Sequence, residues 1–138
     1  MDYEHPLTQK LKERLGYLGV YYKRNSQLFF RNLSDTEKQK LLEILKFKYR
    51  EILLNYFANK HYLNQKIDEF TDTLFFTDIA ISQVVEIHME LMDEFAKQLK
   101  IEGRNDEILL DYRLTLIDVM AHLCEMYRRS IPNESDIL

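Results

Sequence analysis

Two of the four histidines, one cysteine and a dense supply of carboxylates are the side chains here that stand in patterns that could do chemistry. His88 stands in VVEIHMELM and His122 in DVMAHLCEM, each inside a long apolar-periodic run. On a helix, histidine serves as a metal ligand, a phosphoryl carrier or an acid–base group. A carboxylate-bridged metal site in a bundle places glutamate three residues before its ligating histidine, so that both project inward one turn apart. Val85 and Val119 occupy those places, and the pattern is absent. Histidine phosphotransfer domains carry an exposed histidine followed by leucine, lysine and a close-packed glycine. Met-Glu-Leu-Met follows His88 and Leu-Cys-Glu-Met follows His122, which is a different signature. His88 therefore reads as a half-buried core residue on an apolar stripe. His122, one turn from Asp118 and from Glu125, reads either as a salt-bridged surface histidine or as part of a binding surface.

Composition narrows the classes further. Nineteen Lys and Arg against twenty-three Asp and Glu give a net charge of −4, with the charges interspersed. Attraction to phosphate dominates nucleic-acid affinity, so this balance argues against DNA or RNA as a partner. The three glycines are scattered and form no phosphate-binding loop. A lone cysteine, Cys124, excludes an internal disulfide framework and a cysteine zinc site; on an apolar line, it reads as packing rather than as a nucleophile. The opening MDYEHPLTQK lacks the basic start and apolar run of a signal peptide, and no apolar run approaches the roughly 20 residues of a membrane span. The expectation is a cytoplasmic protein with no catalytic residue, no cofactor and no metal. A phosphorelay or metal-dependent bundle enzyme, and a scaffold dimer without regulatory effect, remain the alternatives.

The elements follow from spacing. Leu7, Leu11 and Leu15 predict a short helix behind Pro6, and GYLGVYYKR, residues 16–24, predicts a short β-strand. Alternation sends Leu18, Val20 and Tyr22 to one face of it and Tyr17, Tyr21 and Lys23 to the other. Residues 1–33 are read as an arm whose apolar residues need a surface elsewhere. Ser34 and Glu37 form a capping box opening a first long helix with Leu41, Leu45, Ile52 and Tyr56 on its stripe. Leu63, Ile67, Phe70 and Leu74 predict a second helix ending at Phe75-Phe76. Val84, His88, Leu91, Phe95 and Leu99 predict a third, with Asp78 or Ser82 as N-cap and Gly103 as the terminating glycine. The fourth runs from about Asp106 to Arg129, capped by Asn105, with Leu109, Tyr112, Leu116, Met120, Leu123 and Tyr127 as its core stripe. A second apolar line, Leu110, Leu114, Ile117, Ala121 and Cys124, follows another face, where Thr115, Asp118 and His122 are the polar residues of the stretch. That helix is either central or carries a dimer or partner surface. The architecture expected is all-α: an antiparallel four-helix bundle over residues 34–132 with a strand-bearing arm, a flexible tail at 133–138, and a homodimer as its assembly.

Two runs, VVEIHMELMDEFAKQLKIEGR and ILLDYRLTLIDVMAHLCEMYRRSIP, resemble the C-terminal domain of the KaiA circadian clock family. FFTDIAISQVVEIHMEL and EHPLTQKLKERLGYLGVYYKR resemble it too, so the likeness spans nearly the whole chain. The resemblance implies a homodimeric bundle without catalysis of its own. It would bind the C-terminal tail of the KaiC ATPase and favour KaiC autophosphorylation, and it would be captured and silenced by KaiB bound to KaiC. Longer family members begin with a receiver-like domain, and this chain starts in what looks like the linker after it. An input-sensing or quinone-binding role is therefore not carried over.

On that resemblance, Glu90, Met92 and Asp93 of the third helix and His122 and Glu125 of the fourth are expected around a groove for the KaiC tail. Phe75 and Phe76 are expected either at the groove edge or the dimer, or equally in core packing. Leu18, Val20, Tyr21 and Tyr22 of the arm are expected to meet the partner subunit and KaiB.

Overall fold

Ser34 opens the first helix through a reciprocal pair of bonds. Its hydroxyl accepts from the Glu37 N–H at 3.2 Å, and the Glu37 carboxylate accepts from the Ser34 N–H at 3.3 Å. The computed structural model describes residues 23–57 and 62–131. They form four α-helices: α1 (Asp35–Asn55), α2 (Leu63–Phe76), α3 (Ile81–Ile101) and α4 (Arg113–Ser130). Short 3-10 turns lie at Ser26–Leu28, Phe30–Asn32 and Glu107–Tyr112. The described residues contain no strand, and the short connections set the helices antiparallel as a bundle. The expected strand over residues 16–24 lies outside the described residues except for Lys23 and Arg24, which carry no regular structure. Leu18, Val20, Tyr21 and Tyr22 lie outside them altogether.

Two helix boundaries differ from expectation. The fourth helix starts at Arg113, because residues before it wind as 3-10 turns; Asn105 Oδ1 accepts from the Glu107 N–H at 2.8 Å and caps that segment instead. Neither Asp78 nor Ser82 caps α3, whose N-cap is Ala80 with no side-chain bond. Asp78 instead closes α2, at φ +48. Its N–H reaches the Phe75 carbonyl at 3.2 Å, and the Ile79 N–H reaches the Leu74 carbonyl at 3.3 Å, the paired bonds of a left-handed helix stop. Gly103, at φ +69, closes α3 in the same way.

The α2 stripe lies inside as predicted, with Ile67, Phe70 and Leu74 fully buried against Leu45, Tyr49 and Ile52 of α1. Residues of α3 complete this core, and one is polar. His88 is buried rather than half-buried, and its Nδ1 lies 2.6 Å from the Tyr49 hydroxyl. The His88 ring meets the Tyr49 ring edge-on, at 5.7 Å between centroids. Burial pushes the Tyr49 phenol far above its ordinary range and holds the His88 imidazole below its own. The phenol thus keeps its proton and can donate it to Nδ1, leaving the ring proton on Nε2. One buried hydrogen bond ties α3 to α1 and leaves His88 without the exposure that a phosphoryl carrier needs.

Two outcomes follow. Ser34→Ala removes one capping bond and lowers stability to urea by about 1 kcal/mol, read as a shift of the unfolding midpoint at unchanged slope. A histidine held neutral in the folded state binds a proton more readily when unfolded, so its contribution is complete above about pH 6.5 and declines as pH falls toward the depressed folded value. Tyr49→Phe leaves Nδ1 without this donor and costs about 1–3 kcal/mol at pH 7.5. Urea titrations between pH 7.5 and 5.5 should show this difference narrowing as His88 protonates, and a difference that widens would show that the pair is not neutral.

Candidate partner-binding site

The fourth helix packs much of its expected core stripe inward, with Leu123 buried and Tyr112, Leu116 and Tyr127 against the core, and turns its second apolar line outward. Thr115, Asp118 and His122, three polar residues at i, i+3 and i+7, share the buried face with Val119, Leu123 and Met126. Ile117 is 48% exposed, Leu110 is 55% exposed and Cys124 is exposed, with Leu114 and Ala121 half-buried between them. The expectation of Cys124 as packing is thereby corrected: it sits on the outer face. His122 is likewise a buried histidine and not a surface one.

Partners at α1 and α2 explain this orientation. A buried polar group is tolerated when it is hydrogen-bonded and costly when it is not. The Asp118 carboxyl accepts from the hydroxyl of Tyr56, which caps the end of α1, at 2.8 Å. His122 Nε2 lies 3.6 Å from Asp68 Oδ1 on α2. Thr115 Oγ1 is buried with no hydrogen-bond partner among the described residues. Rotating α4 to bury its apolar line would strip Asp118 and His122 of these neighbours. What that leaves outside is an apolar strip along α4, continued by Ile108 and by Phe57, whose ring lies 5.0 Å from Tyr56 and 6.0 Å from Tyr112.

The residues expected around a groove fall in different surroundings. Glu90 faces α1, where Lys46 lies 3.3 Å away; Lys46 also reaches Glu94 at 2.8 Å, and Arg50 pairs with Glu94. Hydrogen bonding to Glu94 raises the Lys46 pKa, and the same bond lowers that of Glu94. Glu90 borders a cleft of about 210 Å³ between α1 and α3, with Leu42 and Ile87 among its lining and Glu43 and Glu86 beside them. Asp93 is exposed, and Met92 is half-buried against the core. Glu125 is bound by Arg128 and by Arg129, the latter at 2.9 Å. The Arg128 bond is the main cause holding its carboxylate down at about 2, outweighing the opposing effect of burial. Glu90 and His122 are thus turned to different neighbours, α1 and α2. Phe75 is fully buried and belongs to the core rather than to a groove edge; its ring meets Phe76 at 5.2 Å and Tyr127 at 5.0 Å. Phe76 is half-buried against that core.

A cleft of about 470 Å³ opens at the end of α3, lined by Lys97, Lys100, Arg104 and Asp106 among others. Among the described residues no group of His, Cys, Asp and Glu is placed to hold a metal, and no helix is long and apolar enough to cross a membrane.

Sequence reasoning missed the tyrosines as polar keys, since Tyr49 and Tyr56 count as apolar in a periodicity reading. It also missed the joint around Asp78. There Arg24 Nη1 donates to Asp78 Oδ1 at 2.7 Å, Tyr127 donates its hydroxyl to the same oxygen at 2.6 Å, and Arg31 reaches Oδ2 at 3.2 Å. The shared face of Thr115, Asp118 and His122 was the available signal for the outward turn of the second apolar line; nothing local marks the Asp78 joint.

Comparison with known proteins places this arrangement. The profile of the KaiA C-terminal domain matches residues 13–134. The circadian clock oscillator protein KaiA of Thermostichus vulcanus is 64% identical over 134 residues, which cover 97% of this chain and 47% of that protein. The protein of the same description from Acaryochloris marina is 67% identical over 126 residues, covering 91% of this chain and 42% of its own length. The chain thus spans about half the length, or somewhat less, of these curated relatives. The crystal structure of the C-terminal domain of Thermosynechococcus elongatus KaiA superposes with a TM-score of 0.66 at 60% identity, covering 77% of this chain and 100% of that one. With the profile matched over most of its length and the same bundle in a solved relative, the chain belongs to the KaiA C-terminal domain family.

Proposed function

We propose that this chain is a circadian clock regulator that works by binding rather than by catalysis. It holds the C-terminal tail of KaiC, favours the autophosphorylating state of that ATPase, and is sequestered by KaiB bound to KaiC. It acts as a homodimer. The observation that carries this reading is the apolar strip of α4, which the bundle leaves outside at the expense of burying Asp118 and His122. Relatives described as circadian clock oscillator proteins supply the context. His88 and His122 are both buried, which disfavours a phosphorelay through either of them.

Binding alone changes an enzyme's rate when the ligand prefers one of its conformations. A hundredfold preference corresponds to about 2.7 kcal/mol of shift in the equilibrium. A tail held extended needs apolar anchors and a few polar groups that set its direction. In this reading Glu90, Met92, Asp93 and Glu125 surround the tail site, and Phe76 borders the dimer. His122 lies beneath the surface and, through Asp68, fixes how α4 presents itself. The arm residues Leu18, Val20, Tyr21 and Tyr22 meet the partner subunit and KaiB.

Adding the protein to KaiC with ATP should raise the phosphorylated fraction of KaiC, read on gels over hours; no rise, with both proteins folded, overturns the proposal. His122→Ala should weaken binding of a KaiC tail peptide by roughly tenfold, about 1.4 kcal/mol, with helical circular dichroism retained. Unchanged affinity in that titration would show that His122 does not set how α4 presents the site.

A further inference from the structure

Asp78 stands at a backbone position that favours glycine. It and Gly103 are the left-handed residues of two helix stops with the same bonding. Glycine adopts that conformation freely; aspartate adopts it against a steric cost, though more readily than most residues. The chain uses glycine at the end of α3 and a carboxylate at the end of α2. A residue that departs from the local rule invites a reason beyond the helix stop itself.

The carboxylate is that reason. Its Oδ1 takes bonds from Arg24 and Tyr127, and its Oδ2 takes one from Arg31. The Arg24 guanidinium also donates to the Phe75 carbonyl at 3.2 Å and lies 4.7–4.9 Å from the ring centres of Phe29, Phe75 and Tyr127. One backbone bond, from the Phe30 N–H to the Thr77 carbonyl at 2.6 Å, fastens the same segment. Burial by itself would raise the Asp78 pKa, yet Tyr127 and the two arginines hold it below the usual carboxylate range. The segment over residues 23–33, the α2–α3 corner and α4 therefore meet at one side chain. That side chain is 26% exposed and Arg31 is 65% exposed, so water can replace the protein partners without opening the core.

We propose that Asp78 is the latch of a releasable strap: its carboxylate holds residues 23–33 against the bundle, and breaking that joint frees the segment while the four helices stay folded. Tyr127 lies two residues beyond Glu125 on α4, so the latch also ties the strap to the helix carrying the proposed partner surface. This last step rests on the KaiC-binding reading, with the latched strap aligning the arm for KaiB–KaiC capture.

Asp78→Gly tests it, because glycine keeps the left-handed stop and removes only the carboxylate; Asp78→Asn keeps the side-chain shape without the charge. Hydrogen exchange by mass spectrometry should show amides of residues 23–33 exchanging at least about tenfold faster in Asp78→Gly, with α1–α4 protected as in the parent and Asp78→Asn intermediate. Unchanged exchange over 23–33 overturns the latch. Equal loss of protection across the helices also overturns it, by showing a structural stop and nothing more. Capture of KaiB–KaiC should fall in Asp78→Gly more than tail-peptide binding does, and equal losses would contradict the coupling. If the parent protein neither binds the tail nor stimulates KaiC, the functional reading falls while the exchange result still decides the latch.

Discussion

Asp118 presents no surface to solvent, and the bundle is arranged around that fact. A carboxyl group inside a helical core is stable where it is hydrogen-bonded and costly elsewhere, which leaves few acceptable rotations for its helix. The Tyr56 hydroxyl, 2.8 Å away at the C-cap of α1, provides the acceptable one. His122 next to Asp68 repeats the constraint one turn on, against α2. Tyr49 with His88 does the same for α3 against α1. Apolar packing alone tolerates sliding and rotation between helices of similar shape; the directional bonds at Asp118 and His88, with the His122–Asp68 polar contact beside them, favour one register. The surface ion pairs of Lys46 and Arg50 with Glu90 and Glu94 lie across the same α1–α3 seam but are largely exposed, and screened pairs of that kind contribute little.

The outer apolar line of α4 is the consequence. With Asp118 and His122 facing in, Leu110, Ile117 and Cys124 face out, and Phe57 and Ile108 extend the strip. Scattered apolar residues on a surface are ordinary, whereas the cluster of Ile117 and Cys124 on α4 with Leu110 and Ile108 on the 3-10 segment before it and Phe57 after α1 offers a surface for a covering partner. The homodimer proposed for this chain would provide that cover. At the opposite extreme of polarity, the Asp78 joint attaches residues 23–33 with hydrogen bonds and ring–cation contacts. The two attachments differ in kind: one apolar and extended, the other polar and focused on a single carboxylate.

Much of this was legible from spacing. The capping box at Ser34 and Glu37, the α2 stripe and the terminating Gly103 stand where the pattern put them, because each is a local rule expressed within a few residues. Membership of the KaiA family was also readable in the quoted runs. The outward turn of the second apolar line was not, because periodicity counts apolar residues and this helix also buries Asp118 and His122 beside its apolar ones, Asp118 against a hydroxyl 62 residues distant in sequence. The Asp78 joint was invisible for the same reason, its bonds to Arg24 and Tyr127 spanning 54 and 49 residues. In sequence Asp78, like Ser82, reads as an N-cap candidate, since a helix start and a left-handed helix stop both favour small polar residues.

The claim that buried polar keys turn the apolar line of α4 outward for pairing is tested most directly by mass in solution. Sedimentation velocity of the parent chain and of Ile117→Asp, at matched concentration and with circular dichroism recorded for both, makes the comparison. The account predicts twice the 16.7 kDa chain mass for the parent, and a single-chain mass with unchanged helicity for the variant. A single-chain mass for the parent, or an undiminished dimer in Ile117→Asp, would contradict it.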